Sequence, residues 1–120
     1  MKILLVDDDA FLRDMYATKF GESGHVVVVA STGEQALEEV QKQTFDVMLL
    51  DMIMPGMTGV ELLKRVNLLN LEKRPHCIVL SNQGEQSDID AAMKEGAKGY
   101  IVKAERIPSE VVTEVTRIVS

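Results

Sequence analysis

The chain has 120 residues, of which 46% are hydrophobic, so it is long enough to bury the core of one domain and too apolar to be disordered. Its formal net charge of −6, without any cluster of Lys and Arg, disfavours direct binding to nucleic acids or to anionic membranes. No apolar run could span a bilayer, a strand pattern begins directly after Met1 and there is one cysteine, so we expect a cytoplasmic protein with no leader segment and no disulfide.

Apolar runs of strand length alternate with segments of helical periodicity along the whole chain. The pattern predicts strands at residues 3–6, 26–30, 47–50, 77–80 and 100–102. Each predicted strand is followed by a helix whose start or end is marked by a capping or breaking residue. These markers are Asp9 and Thr32 as N-caps of the first two helices, Thr58 at the start of the third, Gly96 at the end of the fourth and Pro108 in the first turn of the last.

Strands that alternate with helices predict βαβ units, and continuous apolar strands predict a parallel sheet covered by helices on both faces. The expected fold class is α/β, a doubly wound three-layer sandwich around a five-stranded parallel sheet. The common strand order for this pattern is 2-1-3-4-5, which places the topological switch point between strands 1 and 3. The sequence contains no repeat, linker or low-complexity segment, so we expect residues 1–120 to form a single domain.

The carboxyl ends of the predicted strands carry a distinctive set of polar side chains. Strand 1 ends at Asp7 and Asp8, strand 3 at Asp51, strand 4 at Ser81 and strand 5 at Lys103. Ligands of doubly wound sheets bind beyond these strand ends, at the switch point that the two acidic ends flank. Any one of these residues could be an ordinary polar loop start, but the convergence of all of them at one edge predicts a functional site.

Three carboxylates at one edge need a positive partner. Two like charges about 4 Å apart repel by roughly 4 kcal/mol at an effective dielectric constant of about 20. A hard divalent cation would offset this repulsion, and oxygen-only ligands with no His or Cys nearby predict Mg²⁺, with Mn²⁺ as the alternative. Mg²⁺ held by carboxylates points to phosphoryl chemistry, in which Asp51 is the nucleophile and Lys103 and Ser81 contact the phosphoryl oxygens.

The residue two positions after Asp51 decides which kind of phosphoryl chemistry is expected. Aspartyl-phosphate phosphatases that turn over need a general acid near the nucleophile, commonly a second Asp at this position. Here the residue is Ile53, which can neither protonate a leaving group nor activate water, and His25 and His76 lie outside the predicted active edge. An aspartyl phosphate formed at Asp51 is therefore expected to persist, as a signal rather than as an intermediate of a turnover cycle.

Four motifs carry a resemblance that covers essentially the whole chain. They are LLVDDD at residues 4–9, LLDMIMPGMTG at 49–59, VLSN at 79–82 and GYIVKA at 99–104. In this order and spacing, the chain resembles the receiver domain of bacterial response regulators, the CheY-like superfamily. The resemblance implies a flavodoxin-like fold and a phosphorylation-dependent switch of a two-component phosphorelay, which assists its own phosphorylation and slow dephosphorylation but is not an enzyme.

The resemblance also implies a role for each residue of the site. Asp51 would be the phosphoacceptor, assisted by Lys103, and Ser81 and Tyr100 would be the switch residues. The implied metal ligands are Asp8, Asp51, the backbone carbonyl of Ile53 and, through a water molecule, Asp7. The implied phosphodonor is a histidine kinase, a phosphotransfer protein or a small molecule. Phosphorylation would move Ser81, let Tyr100 turn inwards and remodel the surface of helix 4, strand 5 and helix 5, through which a homodimer could also form.

Two departures from the family pattern change these expectations. Ala104 follows Lys103, where receiver domains usually have a Pro joined by a cis peptide. Because a non-proline cis bond costs about 2.5–4 kcal/mol, we expect a trans peptide and a differently shaped loop. Asn82 stands after the switch serine, where Ala or Gly is common, and its bulk would partly shield the phosphoryl group from water. Together with Ile53 and Gln83, it predicts slow autodephosphorylation.

Three other functions remain open on the residues alone. A Mg²⁺-dependent aspartyl-phosphate phosphatase or phosphotransferase would use Asp51 as nucleophile, but Ile53 argues against turnover. A flavodoxin-like electron carrier would need a phosphate-binding loop rich in Ser, Thr and Gly after strand 1, where DDDAF at residues 7–11 would repel phosphate. A phosphorylation-independent interaction domain would not need the complete acceptor set.

Overall fold

The computed structural model describes residues 1–82 and 84–120, and within them five β-strands alternate with five α-helices. The strands are β1 (Lys2–Val6), β2 (Val26–Ala30), β3 (Val47–Leu50), β4 (His76–Ser81) and β5 (Gly99–Val102). The helices are α1 (Ala10–Glu22), α2 (Gly33–Lys42), α3 (Gly59–Leu68), α4 (Gln86–Lys94) and α5 (Pro108–Val119). A short 3₁₀ turn, Lys103–Glu105, lies between β5 and α5. Every strand predicted from the apolar runs is present, with bounds that differ from the prediction by at most one residue.

The sheet is parallel throughout, with the strand order β2-β1-β3-β4-β5. This confirms the predicted fold class and strand order, with the switch point between β1 and β3. The register aligns Val6 with Leu50, so β1 and β3 end at the same level and the residues after them emerge side by side. On the other side of β3, Ser81 pairs with Val102 at the ends of β4 and β5. The predicted polar residues therefore leave the sheet at one edge.

Side-chain caps start three of the helices at this same edge. In each case a side-chain oxygen of the N-cap accepts a hydrogen bond from a backbone N–H in the first helical turn. The pairs are Asp9 with Leu12 (3.1 Å) at α1, Thr32 with Gln35 (3.1 Å) at α2 and Thr58 with Glu61 (3.2 Å) at α3. The predicted helix starts at Asp9, Thr32 and Thr58 are confirmed.

The sheet separates two apolar layers, because successive side chains of a strand point to opposite faces. On one face the strands pack with Tyr16, Phe20, Val111, Val112 and Val115 of α1 and α5. On the other face they pack with Ala36, Val40, Leu62, Leu63, Val66 and Ala92 of α2, α3 and α4. β3 lies at the centre with all its residues buried, which explains its continuous apolar sequence. Within residues 1–82 and 84–120, no helix combines the length and the apolar character needed to cross a bilayer.

Candidate functional site

The five residues predicted at the strand ends meet at the carboxyl edge of the sheet. Asp7 and Asp8 follow β1, Asp51 follows β3, Ser81 ends β4 and Lys103 follows β5. All of them except Asp7 line a cavity of about 250 Å³, together with Asp9, Leu12, Ile53 and Asn82. Asp7 lies deeper, only 2% exposed, and is hydrogen-bonded to Lys103.

Asp51 begins a tightly packed turn, residues 51–58, which we call the acceptor loop. Gly56 in this loop has a φ of +82°, a left-handed conformation that favours glycine. At the start of α3, the N–H of Gly59 donates to the carbonyl oxygen of Met52 (2.9 Å). A Cβ atom on Gly59 would collide with the carbonyl oxygen of Asp51 and lie 2.9 Å from the Cα of Met52. Because only glycine permits this approach, α3 packs directly against the backbone of Asp51 and holds it in place.

Three carboxylates form the acidic part of the site. Asp7, Asp8 and Asp51 each offer one oxygen, and these atoms all lie within 4.8 Å of one another. Asp7 and Asp51 are buried, whereas Asp8 is exposed at the mouth of the cavity. An all-oxygen donor set of this kind, open to solvent on one side, fits a hard cation such as Mg²⁺.

Lys103 supplies the positive charge inside the site. Its Nζ donates to Oδ2 of Asp7 (2.7 Å) and to Oδ2 of Asp51 (3.1 Å). Burial alone would lower the pKa of Lys103, but the hydrogen bond to Asp7 and the charge of Asp51 outweigh it, so the pKa is raised above the usual 10.5. The ammonium therefore stays charged and ties β1, β3 and β5 together. The peptide from Lys103 to Ala104 is trans, as the sequence predicts.

Both oxygens of the Asp51 carboxylate have a donor. Oδ1 accepts from the backbone N–H groups of Met52 (2.7 Å) and Ile53 (3.4 Å), and Oδ2 accepts from Lys103. These bonds fix the plane of the carboxylate. A carboxylate oxygen has two lone pairs, so Oδ2 keeps one for a cation or an electrophile. The geometry suits a preoriented nucleophile.

Ser81 and Tyr100 lie near each other beside the cavity. Ser81 is buried and Tyr100 is half-buried. Burial raises the pKa of Tyr100 above its ordinary value, and the Ser81 side chain opposes part of that rise. The two residues that the sequence predicts as parts of a switch are therefore close enough for one to influence the other.

The residue two positions after Asp51 is apolar, where a turnover enzyme would need an acid. This residue, Ile53, is 59% exposed at the rim of the cavity, and Asn82 lies on the same rim. Neither histidine reaches the cavity: His76 begins β4 at the opposite edge of the sheet, and His25 hydrogen-bonds the N-terminal amine (3.1 Å). The sequence also predicts that Gln83 helps to slow dephosphorylation, but Gln83 lies outside the described residues.

Sequence reasoning missed Arg13, which contacts the site from α1. Its Nη1 donates to the backbone carbonyl oxygen of Asp7 (3.1 Å). One sequence signal could have indicated it. Arg13 lies four residues after the N-cap Asp9, near the N-terminal end of α1, where the helix dipole disfavours a positive charge. A cation in that position suggests a nearby negative partner, which here is the acidic site.

The fold and the site together define a class of protein, a doubly wound α/β domain with an acidic cluster, a buried lysine and a buried hydroxyl at its switch point. Comparison with known proteins identifies the family. A sequence model described as Response regulator receiver domain matches residues 3–115. The chain belongs to the response regulator receiver domain family and is a phosphorylation-dependent signalling domain.

Individual relatives differ in how much of their own length the chain covers. Chemotaxis protein CheY of Thermotoga maritima is 32% identical over 118 residues, which are 98% of this chain and 96% of that protein. Two-component response regulator PhoP of Pseudomonas aeruginosa is 35% identical over 103 residues, which are 86% of this chain but 45% of PhoP. The chain therefore spans less than half of this larger relative. The solved structure of CheY4 from Vibrio cholerae matches with a TM-score of 0.90 and 31% identity, over 98% of this chain and 97% of that one.

Proposed function

We propose that Asp51 accepts a phosphoryl group from a phosphohistidine of a histidine kinase or a phosphotransfer protein, with Mg²⁺ as cofactor. The observation that carries this proposal is the position of Lys103, whose buried ammonium bridges Asp7 and Asp51 at the switch point. Burying three charged groups together is expensive unless the geometry compensates for the lost hydration. This ammonium lies where a phosphoryl group on Asp51 would need a counter-charge.

Mg²⁺ would be held by Asp8, Asp51 and the backbone carbonyl of Ile53, with Asp7 reached through a water molecule. Mn²⁺ would fit the same oxygen donors. When bound, the cation neutralises charge on the phosphoryl oxygens. The different burial of the carboxylates supports direct binding by Asp8 and binding through water by Asp7. Asp8 is exposed, whereas Asp7 is buried and hydrogen-bonded to Lys103.

Transfer would proceed by attack of one Asp51 carboxylate oxygen on the phosphorus of the donor. The new P–O bond forms while the P–N bond to the donor imidazole breaks, and the imidazole leaves with the electron pair of that bond. Lys103 can remain on Asp7 through its 2.7 Å bond while its contact with Asp51 passes to a phosphoryl oxygen. The hydroxyl of Ser81, which lines the same cavity, would donate to another phosphoryl oxygen.

The resulting aspartyl phosphate would be long-lived, so the protein acts as a switch rather than as a turnover enzyme. Water must reach the phosphoryl group through the cavity that Ile53 and Asn82 border. Neither side chain can act as a general base at neutral pH. Replacement of Ile53 by Asp is expected to shorten the lifetime of the phosphoryl group, measured as loss of the acyl phosphate after removal of the donor.

A protein donor is supported by exposed apolar side chains at the carboxyl edge of the sheet. Ile53 is 59% exposed and lines the cavity that holds Asp51. Phe11 is 77% exposed at the start of α1 and lines a separate groove between α1 and the start of α5. Exposed apolar side chains beside a charged site are typical of a surface that binds another protein.

The output would be transmitted through Ser81 and Tyr100 to the surface of α4, β5 and α5. Donation of the Ser81 hydroxyl to a phosphoryl oxygen would draw this hydroxyl away from the neighbouring Tyr100. The displaced Ser81 would draw the β4–α4 loop towards the site, and the Tyr100 ring would turn further inwards. An effector or a second copy of the chain would bind the remodelled surface.

The decisive experiment is incubation with Mg²⁺ and acetyl phosphate, followed by intact mass and peptide mapping. A single phosphoryl adduct on Asp51 is expected, and it should require Mg²⁺ and disappear in Asp51→Asn. The matched control is Asp14→Asn, an exposed aspartate on α1, which should be phosphorylated like the wild type. An adduct that survives Asp51→Asn would overturn the proposal.

A further inference from the structure

Arg13 contacts the site through the peptide group that joins its two successive acidic residues. The acceptor of its Nη1 is the carbonyl oxygen of Asp7, at 3.1 Å, and this carbonyl belongs to the peptide between Asp7 and Asp8. Since a peptide group is planar, the rotation of this plane decides where the Cα atom and carboxylate of Asp8 lie relative to those of Asp7. Through this peptide, Arg13 therefore influences how the carboxylates of Asp7 and Asp8 are placed relative to each other.

The other polar atoms of Asp7 are held by the surrounding structure. Its N–H donates to Ala30 (3.1 Å). Its Oδ1 accepts from the N–H of Asp9 (2.9 Å), and its Oδ2 accepts from Lys103 (2.7 Å). The carbonyl oxygen of Asp7 lies beyond the sheet. The last hydrogen bond between β1 and the chain after β3 goes from the N–H of Asp51 to the carbonyl oxygen of Val6 (3.2 Å), one residue before Asp7. Arg13 supplies the bond that the sheet does not.

The position of Arg13 is unfavourable for α1 itself. The helix dipole disfavours a cation near the N-terminal end, where Arg13 lies. The Nε of Arg13 is buried and has no hydrogen-bond partner within residues 1–82 and 84–120. A residue that served only the stability of α1 would be neutral or acidic here. The bond to Asp7 is the polar contact that offsets these disadvantages.

We propose that Arg13 is a positioning residue, which sets the plane of the Asp7–Asp8 peptide so that the carboxylates of the acidic site converge on one Mg²⁺ ion. The inference rests on the proposed function, since it assumes that Mg²⁺ binds there. Groups that orient metal ligands without touching the metal typically change metal affinity by about 10-fold or more when they are replaced.

Charge and positioning make opposite predictions for Arg13. If its positive charge were the main effect, its removal would make the site more negative and tighten Mg²⁺ binding. If positioning dominates, removal loosens the Asp7–Asp8 peptide and weakens Mg²⁺ binding. The direction of the change in Mg²⁺ affinity therefore separates the two roles.

The experiment compares Arg13→Met, Arg13→Gln and Arg13→Lys with the wild type by calorimetric titration with Mg²⁺, well below the melting temperature of each variant. Arg65→Met, at an exposed position on α3, is the matched control. We expect Mg²⁺ binding to weaken by about 10-fold in Arg13→Met and by less in Arg13→Lys, whose ammonium can still donate to the carbonyl. Arg65→Met should bind Mg²⁺ like the wild type. If Arg13→Met does not fold, the Gln and Lys variants still give the comparison.

A second measurement needs no metal. Amide hydrogen exchange at Asp8 and Asp9 in the metal-free protein should accelerate in Arg13→Met, while exchange in the later turns of α1 stays at the wild-type rate. Unchanged or tighter Mg²⁺ binding in Arg13→Met would refute the positioning role while the proposed function stands. If the wild type binds no Mg²⁺ and forms no adduct on Asp51, the proposed function itself is wrong.

Discussion

β3 is flanked by an aspartate at each end, and each aspartate has a lysine partner. Asp46, just before the strand, pairs with Lys73, and these side chains are 37% and 54% exposed. Asp51, just after the strand, pairs with Lys103, and here the side chains are 11% and 4% exposed. The same chemical pair is therefore a solvated contact at the amino edge of the sheet and an enclosed one at the carboxyl edge.

The two ends differ in how their charges balance. At the amino edge, Asp46 is a single carboxylate, whose Oδ2 accepts from the N–H of Lys2 (2.7 Å) while Oδ1 accepts from Lys73. At the carboxyl edge, the parallel register brings two further carboxylates next to Asp51, and Lys103 shares its bonds between Asp7 and Asp51. Three carboxylates therefore share one lysine at the carboxyl edge, whereas Asp46 has Lys73 as its partner and also feels the charge of the N-terminal amine. The surplus of carboxylates at the carboxyl edge suits that edge to a cation.

The strongest way to test this comparison is to remove each lysine. Lys103→Met leaves Asp7 and Asp51 buried without their cation, so the metal-free protein should lose about 3–5 kcal/mol of unfolding free energy. Lys73→Met removes only a solvated pair and should cost less than about 1 kcal/mol. Urea denaturation without Mg²⁺ measures both values. Similar losses in the two variants would mean that burial does not distinguish the two ends.

A second test concerns the rigidity of the backbone at the carboxyl end. In Gly59→Ala, the new Cβ collides with the carbonyl of Asp51, so α3 and the acceptor loop must separate. We expect a loss of about 1–3 kcal/mol, together with slower phosphorylation by acetyl phosphate. The control is Gly21→Ala in α1, where a Cβ would meet nothing within 4 Å and the stability should rise by about 0.5–1 kcal/mol. Normal phosphorylation of Gly59→Ala would show that the loop tolerates displacement.

The sequence was sufficient to predict the fold and which polar residues meet at the carboxyl edge of the sheet, for a physical reason. Strands buried on both faces must be continuously apolar, so the first polar residue after each run marks the edge of the sheet. This reasoning placed Asp7, Asp51, Ser81 and Lys103 together, and the structure places them together.

Depth and side-chain direction could not be predicted in the same way. Asp7 and Asp8 are neighbours of identical type, yet one is enclosed and the other exposed, because the backbone turns between them. The contact of Arg13 with Asp7 depends on the phase of α1 relative to β1, and the proximity of the Ser81 and Tyr100 side chains depends on their rotamers. The helix phase and the rotamers cannot be deduced from the pattern of apolar and polar residues in the sequence.

Neutralising each aspartate should change stability in opposite directions. Asp51→Asn removes one of the crowded carboxylates, so the metal-free protein should become more stable by about 1 kcal/mol, a fraction of the repulsion between charges at this distance. Mg²⁺ should no longer raise the melting temperature of this variant. Asp46→Asn breaks a balanced pair and should reduce stability by less than about 1 kcal/mol. Destabilisation by Asp51→Asn would indicate that its bond to Lys103 outweighs the crowding.

The smallest expected effect is the pH dependence of the amino-edge pair. The hydrogen bond from Lys73 and the backbone N–H of Lys2 lower the pKa of Asp46 below its usual 3.8. A carboxyl group whose pKa is depressed by folding stabilises the protein fully above its unfolded pKa, and this contribution disappears as the pH falls through the folded value. The stability difference between the wild type and Asp46→Asn should therefore be constant from neutral pH to about pH 5 and shrink below 3.8. Because the pair is solvated, we expect a change of only a few tenths of a kcal/mol, reduced further by 1 M salt. Urea titrations of both proteins between neutral and acidic pH measure it, and a difference that grows as the pH falls would contradict the depressed pKa.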